Sequence, residues 1–80
     1  MGEENKAKKF RQELGISIRR QRHKLNLSQE AFADKTHIHR TYVSSVELGK
    51  VDVGIGVIYR IVSALNIPLS KLIKEVEDNI

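Results

Sequence analysis

His37 and His39, then Arg40 and the hydroxyls of Thr41, Tyr42, Ser44 and Ser45, crowd into the stretch HIHRTYVSSVELGK, residues 37–50. Three chemistries suit such a set: a metal clip through the imidazoles, a catalytic patch, or a surface that touches a partner. The metal reading is thin. A structural zinc site takes about four ligands. The chain has no cysteine, His23 is far away in sequence, and Asp34 is the acid nearest on the N-terminal side. Catalysis has as little to stand on. There is no Ser/His/Asp set that short elements gather into a cleft, and no pair of acids in an apolar setting. VGIGV, residues 53–57, lacks the third glycine of a nucleotide fingerprint and the strand before it. Gly54 and Gly56 are read instead as the entry to a helix. The expectation is no enzyme, no metal, no cofactor and no small-molecule ligand, which leaves a contact surface.

The elements that position these residues are helical. Glycine and proline are scarce, and the apolar residues recur three, four or seven apart. Phe10, Leu14, Ile18 and Leu25 form one stripe of a first helix, with Arg11, Arg19, Arg20 and Lys24 on its polar face. Asn26 ends it, since asparagine tolerates the left-handed conformation. Residues 1–9 are expected as a polar extension, and 10–80 as the folded domain. Ser28 is a good N-cap for a second helix, with Glu30 in its first turn and Phe32 and Ala33 facing inward with Leu27. That helix stops near Thr36. A third runs from about Arg40 to Leu48 and ends at Gly49. A fourth runs from about Ile55 to Leu65, with Ile58, Ile61, Val62 and Leu65 inward and Asn66 at its end. Pro68 precedes a fifth, from Leu69 to about Val76, with Ser70 as its candidate cap. The fold class expected is all-α, a compact five-helix bundle.

Charge narrows the partner. The net charge is +4. Residues 1–50 carry a balance of about +5 and residues 51–80 about −1. A polyanion would therefore meet the first two-thirds of the chain. No apolar run approaches the ~18 residues of a membrane span, and MGEENKAKK has no apolar region after its charges. With no cysteine, the expected compartment is the cytoplasm.

On the third helix, with Arg40 set at zero, Val43 falls at about 300°, Val46 at about 240° and Tyr42 at about 200°. Arg40, Thr41, Ser44 and Ser45 fall within an arc of about 140° that starts at Arg40. This exposed strip is a guanidinium among hydroxyls with no acid in it. Glu47, the helix's acid, lies at about 340°, at the edge of the buried side. A merely solvated face favours Glu, Lys and Gln, and Ser and Thr cost helix stability. Short hydroxyls let a helix approach a surface closely. Arginine makes two donor contacts to guanine O6 and N7, and the first residues of a short helix reach base edges in a major groove.

From about Leu14 to Ile73 the chain resembles the Cro/repressor-like, XRE-type helix-turn-helix family. The residues that carry the resemblance are IRRQRHKLNLSQEAFADKTHIHRTYVSSVELGK and IYRIVSALNIPLSKLI. The run RTYVSSVE looks most like the small controller proteins of restriction-modification systems, although phage-type and chromosomal repressors carry similar triplets. The resemblance implies a five-helix, lambda-repressor-like domain. It also implies a homodimeric, sequence-specific transcriptional regulator on a two-fold symmetric site in double-stranded DNA. An antitoxin or protein-interaction module of the same fold is the alternative.

By that resemblance Arg40, Thr41, Ser44 and Ser45 contact bases. Ser28, Gln29, Tyr42 and Lys50 contact phosphate, and Arg22 and Glu47 form a structural ion pair. Leu69, Leu72, Ile73, Val76 and Ile80 form an apolar stripe longer than a core of this size needs. Leu69 and Leu72 are expected in the core, and Ile73, Val76 and Ile80 against a second subunit, with packing of the helix on its own core as the alternative. The resemblance implies dimerisation through the fourth and fifth helices. Three departures from the family stand out. His37 replaces the usual glycine of the turn, at a position that asks for φ > 0. His39 precedes the recognition helix and is expected to be a poor N-cap. After Gly49 only Lys50 remains of a loop that is usually more basic.

Overall fold

Asn26 (φ 56°), His37 (58°), Gly49 (71°) and Asn66 (60°) take the left-handed conformation that stops a helix. Between these stops, among residues 2–80 that the computed structural model describes, the chain is helical: α1 (Gly2–Lys24), α2 (Gln29–Thr36), α3 (Arg40–Glu47), α4 (Ile55–Leu65) and α5 (Leu69–Asp78). His37 tolerates the left-handed strain because its turn is well tied. Its N–H donates to the carbonyls of Ala33 and Asp34, and Ile38 N–H donates to Ala33 O at 3.1 Å. Inside the same end, Thr36 Oγ1 donates back to Phe32 O at 2.8 Å, so the buried hydroxyl is satisfied.

α1 begins earlier than its apolar stripe suggests. Glu3 and Glu4 sit in its first turn, where the helix dipole favours them, and the following Lys and Ala residues are good helix formers. The polar residues 2–9 are thus helical, exposed and continuous with α1. Leu25 leaves the expected stripe. The helix ends at Lys24, the chain turns at Asn26, and Leu25 is 43% exposed.

The core lies where the helices meet. Leu14 and Ile18 of α1, Phe32 of α2 and Val43 and Val46 of α3 join Ile58, Ile61, Val62 and Leu65 of α4. Leu72 and Val76 of α5 complete it. α1 packs on both α3 and α5, and α2 packs on α3 and α4. Among the described residues no single helix is long and apolar enough to cross a membrane.

α5 corrects one expected role. Val76 is fully buried, one turn after Leu72 on the same side, so it belongs to the monomer's own core and is not available to a second subunit. Ile73 is half-buried, and Ile80 is exposed beside Phe10 and Lys6 of α1. Nor does Ser70 cap the helix: Pro68 holds the N-cap position, and no side chain bonds there.

The seat of α3 on α1 depends on a glycine. A Cβ on Gly15 would meet Val46 O at 2.5 Å and the carbonyl of Glu47 as well. Gly49 repeats the close approach, at 2.8 Å from Gln12 Cα. A lone glycine inside a helical pattern is a signal of close packing. Gly15→Ala should therefore destabilise by about 1–3 kcal/mol, through overpacking that outweighs its gain in helix propensity. The midpoint of thermal unfolding should fall by several degrees, and an unchanged midpoint would show that α3 can retreat from α1 at no cost.

Candidate nucleic-acid interface

The interface is built on α2, the turn at His37 and α3. Val43 and Val46 are buried and Tyr42 is half-buried, packed against the core, so α3 is held from one side. On its other side Arg40 and Thr41 are exposed and Ser44 and Ser45 half-exposed. The four expected base-contact residues therefore lie on one accessible face, and no hydrogen bond or ion pair among the described residues occupies the Arg40 guanidinium.

α3 starts more firmly than its sequence implies. His39 is its N-cap, and Nδ1 accepts a hydrogen bond from Thr41 N–H at 3.2 Å. The physical reason is geometric. Nδ1 lies two bonds beyond Cβ, close to where the side-chain oxygen of a capping Asp or Asn would lie, so the ring does that oxygen's work. At the other end, Gly49 N–H donates to Val46 O and Lys50 N–H to Ser45 O, both at 3.0 Å. These bonds satisfy the last carbonyls and leave the Lys50 side chain exposed.

The expected phosphate contacts lie at the start of α2 and around α3. Ser28 Oγ accepts from Ala31 N–H at 3.0 Å, which caps α2 and leaves the hydroxyl proton free to donate outward. Gln29 is half-buried, and its amide nitrogen donates to Glu47 Oε1 at 3.1 Å. The second amide proton and the amide oxygen remain for a ligand. The Tyr42 hydroxyl has no hydrogen-bond partner among the described residues, while its backbone N–H donates to His39 O at 3.0 Å.

Glu47 is the junction. Arg22 Nε donates to its Oε2 at 2.7 Å and Nη2 to its Oε1 at 2.9 Å, a two-pronged pair. Nη1 of the same guanidinium donates to Leu27 O at 2.7 Å. The two side chains are 7% and 3% exposed. One carboxylate therefore fastens α1, the start of α2 and the end of α3, through three accepted hydrogen bonds. Removing either partner leaves an uncompensated buried charge. Glu47→Ala should cost about 3–5 kcal/mol in urea unfolding, and the paired change Arg22→Met with Glu47→Leu should recover most of it. A cost below about 1 kcal/mol, the range of an exposed pair, would show that the network holds nothing in place.

Two features escaped the sequence. His39 as a working cap had no signal, because histidine is not a usual capping residue. Ile55 and Tyr59 are 74% and 71% exposed, one turn apart on α4. Their signal was present: they widen the apolar arc of α4 beyond the roughly 100° covered by Ile58, Ile61, Val62 and Leu65.

Comparison with known proteins agrees with this geometry. The family model described as helix-turn-helix matches residues 18–72. Control protein C.MunI of Mycoplasma sp. is 40% identical over 73 residues, which is 91% of this chain and 85% of C.MunI. The crystal structure of the restriction-modification controller protein C.AhdI from Aeromonas hydrophila has a TM-score of 0.74 at 33% identity, covering 76% of this chain and 92% of that one. The controller protein C.Esp1396I, solved as a tetramer in complex with its natural 35 base-pair operator, has a TM-score of 0.74 at 25% identity, covering 84% of this chain and 93% of that one. The chain belongs to the helix-turn-helix family, and within that family it resembles the restriction-modification controller proteins.

Proposed function

We propose that the protein is a sequence-specific DNA-binding transcriptional regulator, the controller of a restriction-modification system, acting as a homodimer on a two-fold symmetric operator. The observation that carries this is the face of α3. Arg40, Thr41, Ser44 and Ser45 are accessible there, no acid stands among them, and the helix behind them is fixed at both ends. The nearby acid, Glu47, is buried and neutralised by Arg22.

In this reading the first turns of α3 enter the major groove. Arg40 donates two hydrogen bonds to guanine O6 and N7, and the hydroxyls reach neighbouring base edges. Ser28, Gln29, Tyr42 and Lys50 lie against phosphates and set the register. The basic excess of the first fifty residues adds salt-dependent affinity without sequence choice. The relatives named above are control and controller proteins, and this chain is assigned no catalysis, no cofactor and a cytoplasmic site of action.

The homodimer is assigned to the faces of α4 and α5 that the monomer leaves uncovered. Ile55 and Tyr59 are its centre, with Ile73 and Ile80 contributing from α5. A two-fold dimer sets two recognition helices about 34 Å apart, one turn of DNA. Residues 10–80 then act as one unit with α5 as part of its dimerisation surface.

Selection of bound sequences from random duplexes at ~150 mM salt tests the reading, because non-specific affinity is already low there. A two-fold symmetric site with half-sites about one turn apart is the expected outcome. Arg40→Ala should lose about 1–3 kcal/mol and relax one base position per half-site, while Lys50→Ala should weaken all sequences alike. Unchanged affinity and preference in Arg40→Ala would remove α3 as the reading element. Tyr59→Asp should shift the protein toward monomer in sedimentation velocity; a dimer of undiminished stability would move the interface off α4.

A further inference from the structure

Leu48 closes α3 as an apolar residue on a polar face. Its backbone is still helical (φ −86°, ψ −2°), and its N–H donates to Ser44 O at 3.0 Å. The wheel of α3 therefore extends to it and sets it at about 80°, between Ser44 at about 40° and Thr41 at about 100°. It is 56% exposed and has no place in the core cluster. The last turn of a helix favours a cation, and so does a face that meets phosphate. Yet the last turn of α3 carries no basic residue, and leucine stands at its end. Helical side chains lean back toward the N-terminus, so Leu48 lies over Ser44 and Ser45 in the turn before it.

We propose that Leu48 is a further specificity-determining residue, which reads a thymine by its C5-methyl group. An aliphatic side chain makes no hydrogen bond to a base edge. What it can select in the major groove is apolar, and the apolar group presented there is the methyl of thymine, which cytosine, adenine and guanine lack. The reach of the side chain fits its position. α3 meets the base edges by its first turns, so its far end stands farther from them. Short hydroxyls suffice near Arg40, and the longer leucine spans the wider gap at the other end. The thymine is thereby placed on the side of Ser44 and Ser45 remote from the base pair read by Arg40. This inference rests on the DNA-reading face proposed above.

Deoxyuridine tests this directly, because uracil differs from thymine by the methyl alone. Each thymine of the selected duplex is replaced in turn, symmetrically in both half-sites. At one position beyond the base pair read by Arg40, wild-type binding should weaken about fourfold per half-site, the factor that one buried methyl group gives. Leu48→Ala removes the aliphatic side chain and keeps the helix propensity of α3. It should bind the thymine and uracil duplexes equally at that position, with its thermal midpoint and its sedimentation unchanged from wild type. Wild-type indifference to uracil at every position overturns the proposal. So does uracil sensitivity that survives at every position in Leu48→Ala, which would leave the methyl contact to Thr41. A shift of Leu48→Ala toward monomer in sedimentation velocity overturns it as well and assigns Leu48 to the subunit interface. If the wild-type protein enriches no sequence at all, the DNA-reading face itself is wrong and this contact falls with it.

Discussion

Glu47 lies at the end of the helix that is to face a polyanion, where an exposed acid would repel phosphate. Instead it is buried, doubly bonded by Arg22 and bonded again by Gln29. Those bonds come from α1 and α2, so three helices are registered against each other at a single group. A domain of eighty residues buries only a modest share of its surface. In such a domain a desolvated ion pair is a poor source of net stability, because the cost of removing two charges from water offsets much of their attraction. What it provides is geometry: a fixed relation between the start of α2 and the end of α3. Gly15 allows the backbone of α3 to approach α1 closely enough for that relation to form.

Fixing the helix matters because its outer face is made of residues that hold helices poorly. Serine and threonine lower helix propensity, and α3 has only 8 residues. Its stability comes from outside: the buried valines, the His39 cap, the bonds at Gly49 and Lys50, and the Glu47 junction. The face is thereby released from structural duty and its residues can be chosen for what they touch. The same division appears in the charges. The acid of α3 is withdrawn into the core, while Arg40 and Lys50 stay in solvent.

Much of this was legible in the sequence, for identifiable reasons. Asn26, Gly49 and Asn66 are residues that accept the left-handed conformation, and each stops a helix where expected. Ile58, Ile61, Val62 and Leu65 follow the helical period and are buried. The wheel of α3 separated Val43 and Val46 from Arg40 and Ser44 because a helix of two turns has little room for ambiguity. The rest depended on tertiary context. Leu25 fits the period of α1 but lies past its end, and periodicity does not mark where a helix stops. Val76 is apolar and near a terminus, which reads equally as core or as interface until α5 is docked on α1. Ile55 and Tyr59 were hidden in a segment read for its glycines. His39 was judged by residue type, whereas the capping atom is Nδ1, whose position resembles that of an asparagine oxygen.

The most direct test of the account is a titration of isotopically labelled protein with its selected duplex, followed by backbone amide chemical shifts. The account predicts that the largest changes fall at Ser28 to Glu30, at His39 to Ser45 and at Lys50, with the core of α4 little moved. Changes concentrated on α4 and α5, with the amides of Arg40 and Thr41 unmoved, would contradict it: the face of α3 would then not be the surface that meets DNA.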